Sequence, residues 1–270
     1  MSIDAEIIRE SLRKCGIFSR LLYLHRTSST SDVAKSICAK EHAHGVLILA
    51  EEQTAGRGRN INRWLSARGK GLYFSLVLQP ATIDNIQVVT LAAGVAVASA
   101  VEQSSGVAAR LKWPNDVYIQ EKKVSGILTE AVFKGDKLEN LVVGIGVNVN
   151  HDKEDFGDEL LPIATSLKIS TGKTFQREII LINILKAFDR TYKMLLGGNT
   201  SEVLKQWYKK ALYLGEELIV EKENNSVMGK FVGLNDAGAL ILEDCNKRTH
   251  KIWAADVIKC RKKPQEPKKY

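Results

Sequence analysis

Apolar residues first recur at Ile3, Ile7, Ile8 and Leu12, one face of a short helix that Gly16 should stop. RLLYLHR has the texture of a strand. SSTSDVAKSICAKEH follows as a helix opened by Ser or Asp caps and ended by Gly45. VLILA at 46–50 and LYFSLVL at 72–78 are unbroken apolar runs of strand length. Val88–Glu102 is apolar all round and rich in Ala and Gly, which predicts a helix packed tightly against a sheet. Its apolar tract, 88–101, is shorter than the roughly 20 residues a bilayer span needs. ARLKW reads as a strand leading to Pro114, VYIQEKKVSGILTEAVF as a hairpin, and LENLVVGIGVNVN as a long strand whose glycines break its middle. REIILINILKAFDRTYKMLL is an amphipathic helix stopped by Gly197 and Gly198, and a shorter helix runs through Trp207.

From Gly215 the texture changes to short strands joined by N-N, D-A-G and D-C-N-K turns, five in about fifty residues, which predicts a small SH3-like or OB-like barrel. The division expected is 1–210, 211–260 and a tail at 261–270. The fold class expected is α+β: a mixed or antiparallel sheet with helices on one face, plus a small SH3-like β-barrel.

Composition narrows this little. An apolar content of 44% suits a globular chain. The formal charge is +8, but half of it sits in the last ten residues, RKKPQEPKKY, a proline-bearing stretch expected to be a disordered, solvated tail. The remaining basic excess suits nucleic acid, nucleotides or an acidic protein equally. Cys15, Cys38, Cys245 and Cys260 stand far apart and form no C-x-x-C pair, so a zinc site is not expected. Asp4, Glu6 and Glu10 interrupt any secretory signal. Together these point to a reducing, cytoplasmic setting. The first helical segment is too short for a helix-turn-helix module with its supporting helices.

Four stretches are chemically dense: SST at 28–30, QTAGRGRNINRW at 53–64, KWPND with KKVSGIL at 112–128, and GIGVNVN at 144–150. Gly56 and Gly58 allow close backbone approach to a ligand. Arg57 and Arg59 offer charge-assisted bonds to phosphate or carboxylate, and Trp64 a stacking face for a base. Asp116 is a carboxylate among cations, able to orient an amine or a metal-bound water, or simply to pair with Lys112. Gly126 interrupts a bulky strand and suits close ligand or backbone approach, while the glycines of GIGVNVN equally suit a bulge. Trp113 equally suits a core position. A lone G-R-G-R is a weak signal, because Arg-Gly runs also mark disordered RNA-binding tails, where they repeat.

In this order and spacing, G-R-G-R…W, K-W-P-N-D, K-x-x-G-I-L and G-I-G-x-N-x-N closely resemble biotin protein ligases, from about residue 21 to the barrel at 215–260. Ile163–Leu167 and the late A-A-D-V resemble family stretches as well. The resemblance implies a class II synthetase-like catalytic domain and a two-step reaction. Biotin's carboxylate attacks the α-phosphate of ATP to give biotinyl-5′-AMP, and a lysine of a biotin carboxyl carrier domain then attacks that anhydride. It further implies that Ser29, Thr30 and Gln53 bind the ureido ring, and that Gly56, Arg57, Gly58 and Arg59 wrap the biotin tail and α-phosphate. Lys123, with Gly126 close by, would contact the biotin carboxylate, Trp64 and Asn148 would bind adenine, and Asp116 would hold the incoming lysine. Mg²⁺ is expected through the phosphates rather than by direct protein ligation. The loop is expected to be mobile when empty, because its like charges need an anion.

Two departures from the family pattern stand out. Ser31 replaces the usual Asn of S-T-N, where either residue would serve as a helix cap. Asn62 takes the place of a third loop arginine, for which Arg63, one position on, is the expected substitute. The small barrel is expected to be structural or carrier-facing. Homodimers through a sheet edge are common in the family and remain an open expectation here; DNA and membrane are not expected partners. The competing readings are a lipoate or octanoyl-type ligase on the same fold, although no Gly-Gly-Gly run is present, and a non-enzymatic nucleic-acid binder.

Overall fold

The computed structural model describes residues 2–60, 62–80, 86–223 and 225–263. Among them, a seven-stranded sheet is built from β1 (Arg20–Leu24), β2 (Val46–Ala50), β3 (Leu72–Leu78), β4 (Ala109–Lys112), β5 (Asp116–Ile119), β6 (Lys122–Lys134) and β7 (Lys137–Val147). Its order is β1-β2-β3-β7-β6-β5-β4, with β1 parallel to β2 and the other pairs antiparallel. The helices are α1 (Ala5–Leu12), α2 (Thr30–Cys38), α3 (Ile86–Ser105), α4 (Lys153–Leu160), α5 (Leu167–Thr171), α6 (Arg177–Leu196) and α7 (Thr200–Lys210).

Strand alternation sorts the two faces. Leu72, Phe74, Leu76 and Leu78 of β3 join the core formed with α3 and α6. Val77, pointing the other way, packs with Val46, Ile48 and Val142 under Ala34 and Cys38 of α2. The long helices thus cover one face as expected, while the short α2 covers part of the opposite one. The rest of that second face is free to form a site.

Several local expectations need correction. Ile7 is 41% exposed, and the buried stripe at the N-terminus is Ile3, Ile8 and Leu12. α2 ends at Cys38, well before Gly45. Gly45 instead turns the chain into β2 at φ +79, with no room for a side chain against the Ile17 carbonyl. α3 spans 20 residues, so shortness is not what keeps it from crossing a membrane; it is packed into the core between the sheet and α6. β7 is not broken by its glycines, since Gly144 and Gly146 pair in register with β3 on one side and β6 on the other.

A second, five-stranded antiparallel sheet has the order β11-β10-β9-β8-β12. Its strands are β8 (Glu217–Lys222), β9 (Ser226–Leu234), β10 (Leu240–Glu243), β11 (Thr249–Ile252) and β12 (Val257–Lys262). The expected tail therefore starts too early: Arg261 and Lys262 pair with Ile219 and Leu218, and residues 264–270 lie outside the described residues. Trp207 of α7 meets Phe231 of β9 edge to face, their ring centres 6.3 Å apart, and Trp113 donates its indole N–H to the Gly238 carbonyl at 3.0 Å. Trp113 is accordingly core, with its one polar atom satisfied.

One buried ion pair ties the N-terminus, β2 and α6 together. Arg177 and Glu51 lie 2.9 Å apart with side chains 3% exposed, and Glu51 also accepts from Tyr23 Oη and the Ile3 N–H. Burial alone would raise the Glu51 carboxyl, but the bonds from Arg177, Tyr23 and Ile3 outweigh it and hold it below the usual carboxylate range. Glu51 stands just before Gln53, so this pair anchors the root of the arginine loop.

Candidate functional site

A cavity of ≈ 410 Å³ opens on the second face of the seven-stranded sheet. Its floor follows from register. Tyr73, Gly146, Gly126 and Asp116 are successive cross-strand partners, and the next row runs Ser75, Gly144, Leu128. Paired residues share a face, so the glycines of KVSGIL and GIGVNVN leave a shallow trough between Ser75 and Asp116. The parallel pairing of β1 with β2 continues past the strands, with Thr27 bridged to Gln53, and so sets SST beside the start of the arginine loop.

One end of the trough is neutral and buried. Ser29 occupies the N-cap position of α2 without a side-chain cap bond; the first turn is capped instead by Gln53 Oε1, which accepts from Thr30 N at 2.8 Å and Thr30 Oγ1 at 3.1 Å. Thr30 Oγ1 lies 2.8 Å and Ser31 Oγ 3.1 Å from Ser75 Oγ. Gln53 Nε2 donates to Ser66 Oγ at 3.0 Å.

The other end is charged. Lys123 Nζ and Asp116 Oδ1 form an ion pair at 2.6 Å, so Asp116 is engaged by Lys123, while Lys112 Nζ donates to Tyr118 Oη at 3.2 Å. Lys123 is fixed from behind, because its N–H donates to Ile163 O and its carbonyl accepts from Thr165 N. Its ammonium lies 5.4 Å from the Trp64 ring centre. The indole itself rests on Gly126 and Gly146, where any Cβ would press into it. Asn148 donates Nδ2 to Thr165 O at 3.1 Å.

The arginine loop closes as a small hairpin: Arg57 bridges Arg63, Gly58 N–H donates to Asn62 O, and Trp64 N–H donates to Gly56 O. Gly56 is absent from the cavity lining. It forms the hairpin's neck, where a Cβ would strike Trp64 O. Two of the loop's three arginines find partners within the chain. Arg57 is held by Asp32 at 2.6 Å and Glu130 at 3.6 Å, and the Asp32 bond raises its pKa. Arg59 turns away to the second sheet, donating to Ala254 O and, at 3.0 Å, to Val257 O; burial lowers its pKa. Residues 257–260 of β12 complete the wall, and burial pushes the Cys260 thiol up to about 11.

Residues 23–148 match the Biotin/lipoate A/B protein ligase family, and residues 213–259 match the Biotin protein ligase C terminal domain. The chain is 36% identical over 251 residues to the bifunctional ligase/repressor BirA of Bacillus subtilis, covering 93% of this chain and 77% of that one. The chain belongs to the biotin protein ligase family. A biotin--[acetyl-CoA-carboxylase] ligase of Paracoccus denitrificans is 35% identical over 81% of this chain and 92% of its own length. Among solved structures, the biotin protein ligase of Aquifex aeolicus in complex with biotin and ATP superimposes with a TM-score of 0.81 at 35% identity, covering 91% of this chain and all of that one.

Within this ligase family's pattern, Ser29, Thr30, Gln53, Arg57, Gly58, Arg59, Arg63, Trp64, Asp116, Lys123, Gly126 and Asn148 all line the one cavity; Gly56 stands behind it. Ser31 does not cap α2. It lies inside the helix, 6% exposed, with its hydroxyl on Ser75. Motif reading missed Ser75, the two carboxylates that hold Arg57, and the β12 wall. For Ser75 a signal was present, the one small polar residue in the otherwise apolar-and-aromatic strand LYFSLVL. For Asp32, Glu130 and β12 there was none, because only the packing of distant segments brings them to the loop.

Proposed function

We infer that this chain is a biotin protein ligase that activates biotin with ATP to biotinyl-5′-AMP and transfers the biotinyl group to a lysine of a carrier domain. The observation that carries the reading is the convergence of four distant motifs on one cavity with a neutral hydrogen-bonding end and a cationic end. A cyclic urea attached to a carboxylate has this same division. The first step joins two anions, a carboxylate and a triphosphate, so cations and orientation supply the catalysis and no protein nucleophile is needed.

In this reading Thr30 and Gln53, with Ser29 beside them, bind the ureido ring, and Gly126 leaves room for the tail. Lys123 releases Asp116 to meet the biotin carboxylate and then the acyl-phosphate oxygens. Asp116 is then free to hold the incoming lysine amine. Arg57 exchanges its carboxylates for the tail carboxylate and α-phosphate, and Arg59 works from the β12 side of the same cavity. Trp64 and Asn148 take the adenine, and Arg63 stands in for the missing third loop arginine. Because Trp64 rests on Gly126 and Gly146, the indole has to lift from the trough as ligand enters.

Among the described residues no group of three His, Cys, Asp or Glu side chains could hold a metal, and Asp116 is the one carboxylate among those lining the cavity. Mg²⁺ would accordingly be held through the substrate's phosphates rather than by direct protein ligation. Bound so, it neutralises phosphate charge.

The partner proposed is a biotin carboxyl carrier domain of a biotin-dependent carboxylase, met in the cytoplasm. Residues 1–210 would form the catalytic unit and 211–260 an accessory one that also walls the cavity. Homodimer formation would use the sheet edge at β1, since Ala211 and Leu212 already pair with Leu111 along the edge of β4, and DNA is not a proposed partner. Incubation with biotin, MgATP and a carrier domain, read by intact mass, tests the reading. A biotin-sized mass gain on the carrier's lysine is expected. A gain with lipoate in place of biotin would turn the reading to the lipoate branch, and salt-dependent binding to generic DNA without adenylate would overturn it.

A further inference from the structure

At the neutral end of the trough four hydroxyls and one amide form a connected chain whose proton directions are determined by counting. Gln53 Oε1 accepts from the Thr30 backbone N–H, which identifies it as the oxygen, and it also accepts the single Thr30 hydroxyl proton at 3.1 Å. Thr30 therefore has no proton left for Ser75, and across their 2.8 Å contact Ser75 must donate. Ser75 in turn has none left for Ser31, so Ser31 donates across the 3.1 Å contact. From Gln53 the chain continues through Nε2 to Ser66 Oγ, and from Ser66 to the Trp64 carbonyl at 3.3 Å. The run from Ser31 to Trp64 points one way throughout. Its members at 30, 31, 66 and 75 are all buried, Ser75 completely.

Ser31 is the head of this chain. Its proton is committed to Ser75, and no bond in the chain claims its lone pairs. Its oxygen lines the cavity and lies 2.8 Å from where a Cβ on Gly144 would stand, so the missing side chain at 144 is what opens it to a ligand. An asparagine at this position would carry both a donor and an acceptor. Serine locked in this direction is an acceptor alone.

We propose that Ser31 Oγ accepts a ring N–H of the substrate's cyclic urea, and that Ser75 is a positioning residue that keeps Ser31's own proton out of the pocket. The proposal rests on the ligase reading. Without Ser75 the Ser31 hydroxyl rotates and turns its proton toward the ligand's N–H in part of the population, which weakens recognition of that N–H without emptying the pocket.

Calorimetric binding without ATP tests this, using biotin and its two cyclic-carbamate analogues, in which one or the other ring N–H is replaced by oxygen. A buried acceptor left unpaired weakens binding substantially, so the wild type should bind one carbamate about tenfold or more weaker than biotin. Ser31→Ala should lose about tenfold in biotin affinity and bind that carbamate as the wild type does, so the discrimination collapses. Ser31→Cys, which keeps the volume and weakens the acceptor, should show the same collapse. Ser75→Ala should narrow the ratio, a change that a purely structural role would not produce. If Ser31→Ala keeps the wild-type ratio, or the wild type binds both carbamates as well as biotin, the proposal falls and the ligase reading stands. If the wild type binds no biotin, both fall.

Discussion

Thr30, Ser31 and Ser75, at one end of the cavity, are 3, 6 and 0% exposed and direct their hydrogen bonds to one another and to Gln53. Arg57, Lys123 and Asp116, at the other, have side chains 38, 30 and 19% exposed and direct theirs into ion pairs. The neutral end retains its geometry without a ligand, because the hydroxyls of Thr30, Ser31, Ser66 and Ser75 already bond within the chain and rearrangement would strand one. The charged end holds its cations on internal carboxylates, where a ligand's carboxylate and phosphates would otherwise be. Binding there is an exchange of partners in a half-solvated setting, which softens both the gain and the loss. Recognition of the ring thus depends on a pre-organised chain, and activation depends on charges that must be released first.

The largest effect expected is on the charged end. Lys123→Ala should lower adenylate formation by roughly 10²–10³-fold, the scale for removing a group that stabilises developing charge, with urea-over-carbamate discrimination retained. Pyrophosphate release measures the first and calorimetry the second; full activity would remove Lys123 from the mechanism.

Gly146→Ala intrudes on the boundary between the two ends, since the new Cβ presses into the Trp64 indole. Misplacing the indole should lower activity by on the order of 10²-fold with little change in melting temperature. Gly144→Ala instead crowds Ser31 and should act on biotin affinity. If both variants behaved alike, the division of the trough would be lost.

His151 sharpens the comparison from beside the trough, between Tyr73 and Phe156. It is fully buried, donates Nε2–H to Tyr73 at 3.1 Å because the Tyr73 proton goes to Ala67 O, and has no partner for Nδ1. Burial first, with Lys70 and Arg177 contributing, lowers its pKa to about 4 despite Asp155 and Asp152. With the folded value below the unfolded one, its contribution is present above about pH 6.5 and is lost as pH falls through 4, up to about 3 kcal/mol. Urea unfolding between pH 7 and 4 should show this slope flattened in His151→Phe (about 3 kcal/mol at most). The same slope in both proteins would exclude His151 as its source.

Arg63→Ala should give the smallest change, a few-fold rise in the KM for ATP, as expected for one exposed cation near phosphate. An unchanged KM and adenylate yield would show that nothing replaces the missing third arginine.

Much of the fold was legible because apolar period is a local property. VLILA and LYFSLVL emerged as β2 and β3 with the bounds expected, and the break at Gly197 ended α6. Gly45 misled because a glycine signals a positive φ but not which element needs it; here it serves the entry to β2 rather than the end of α2. Ile7 misled because a helical face wide enough for four apolar residues need not all find a neighbour.

For the site, the sequence alone determined which chemistry is present: the glycines that thin a strand, the arginines of the loop, a lysine and an aspartate near each other in sequence, and membership of the family that these motifs share. Only the tertiary structure decided how they are paired. Cross-strand register set Ser75 beside Gly144 and Asp116 beside Gly126. Packing gave Arg57 to Asp32 and Glu130, and Arg59 to the carbonyls of Ala254, in the turn before β12, and Val257, at its start. The physical reason is range. Periodicity and turn chemistry act over a few residues, whereas a buried charge or hydroxyl takes whichever partner the closed sheet brings within about 3 Å, however distant in the chain.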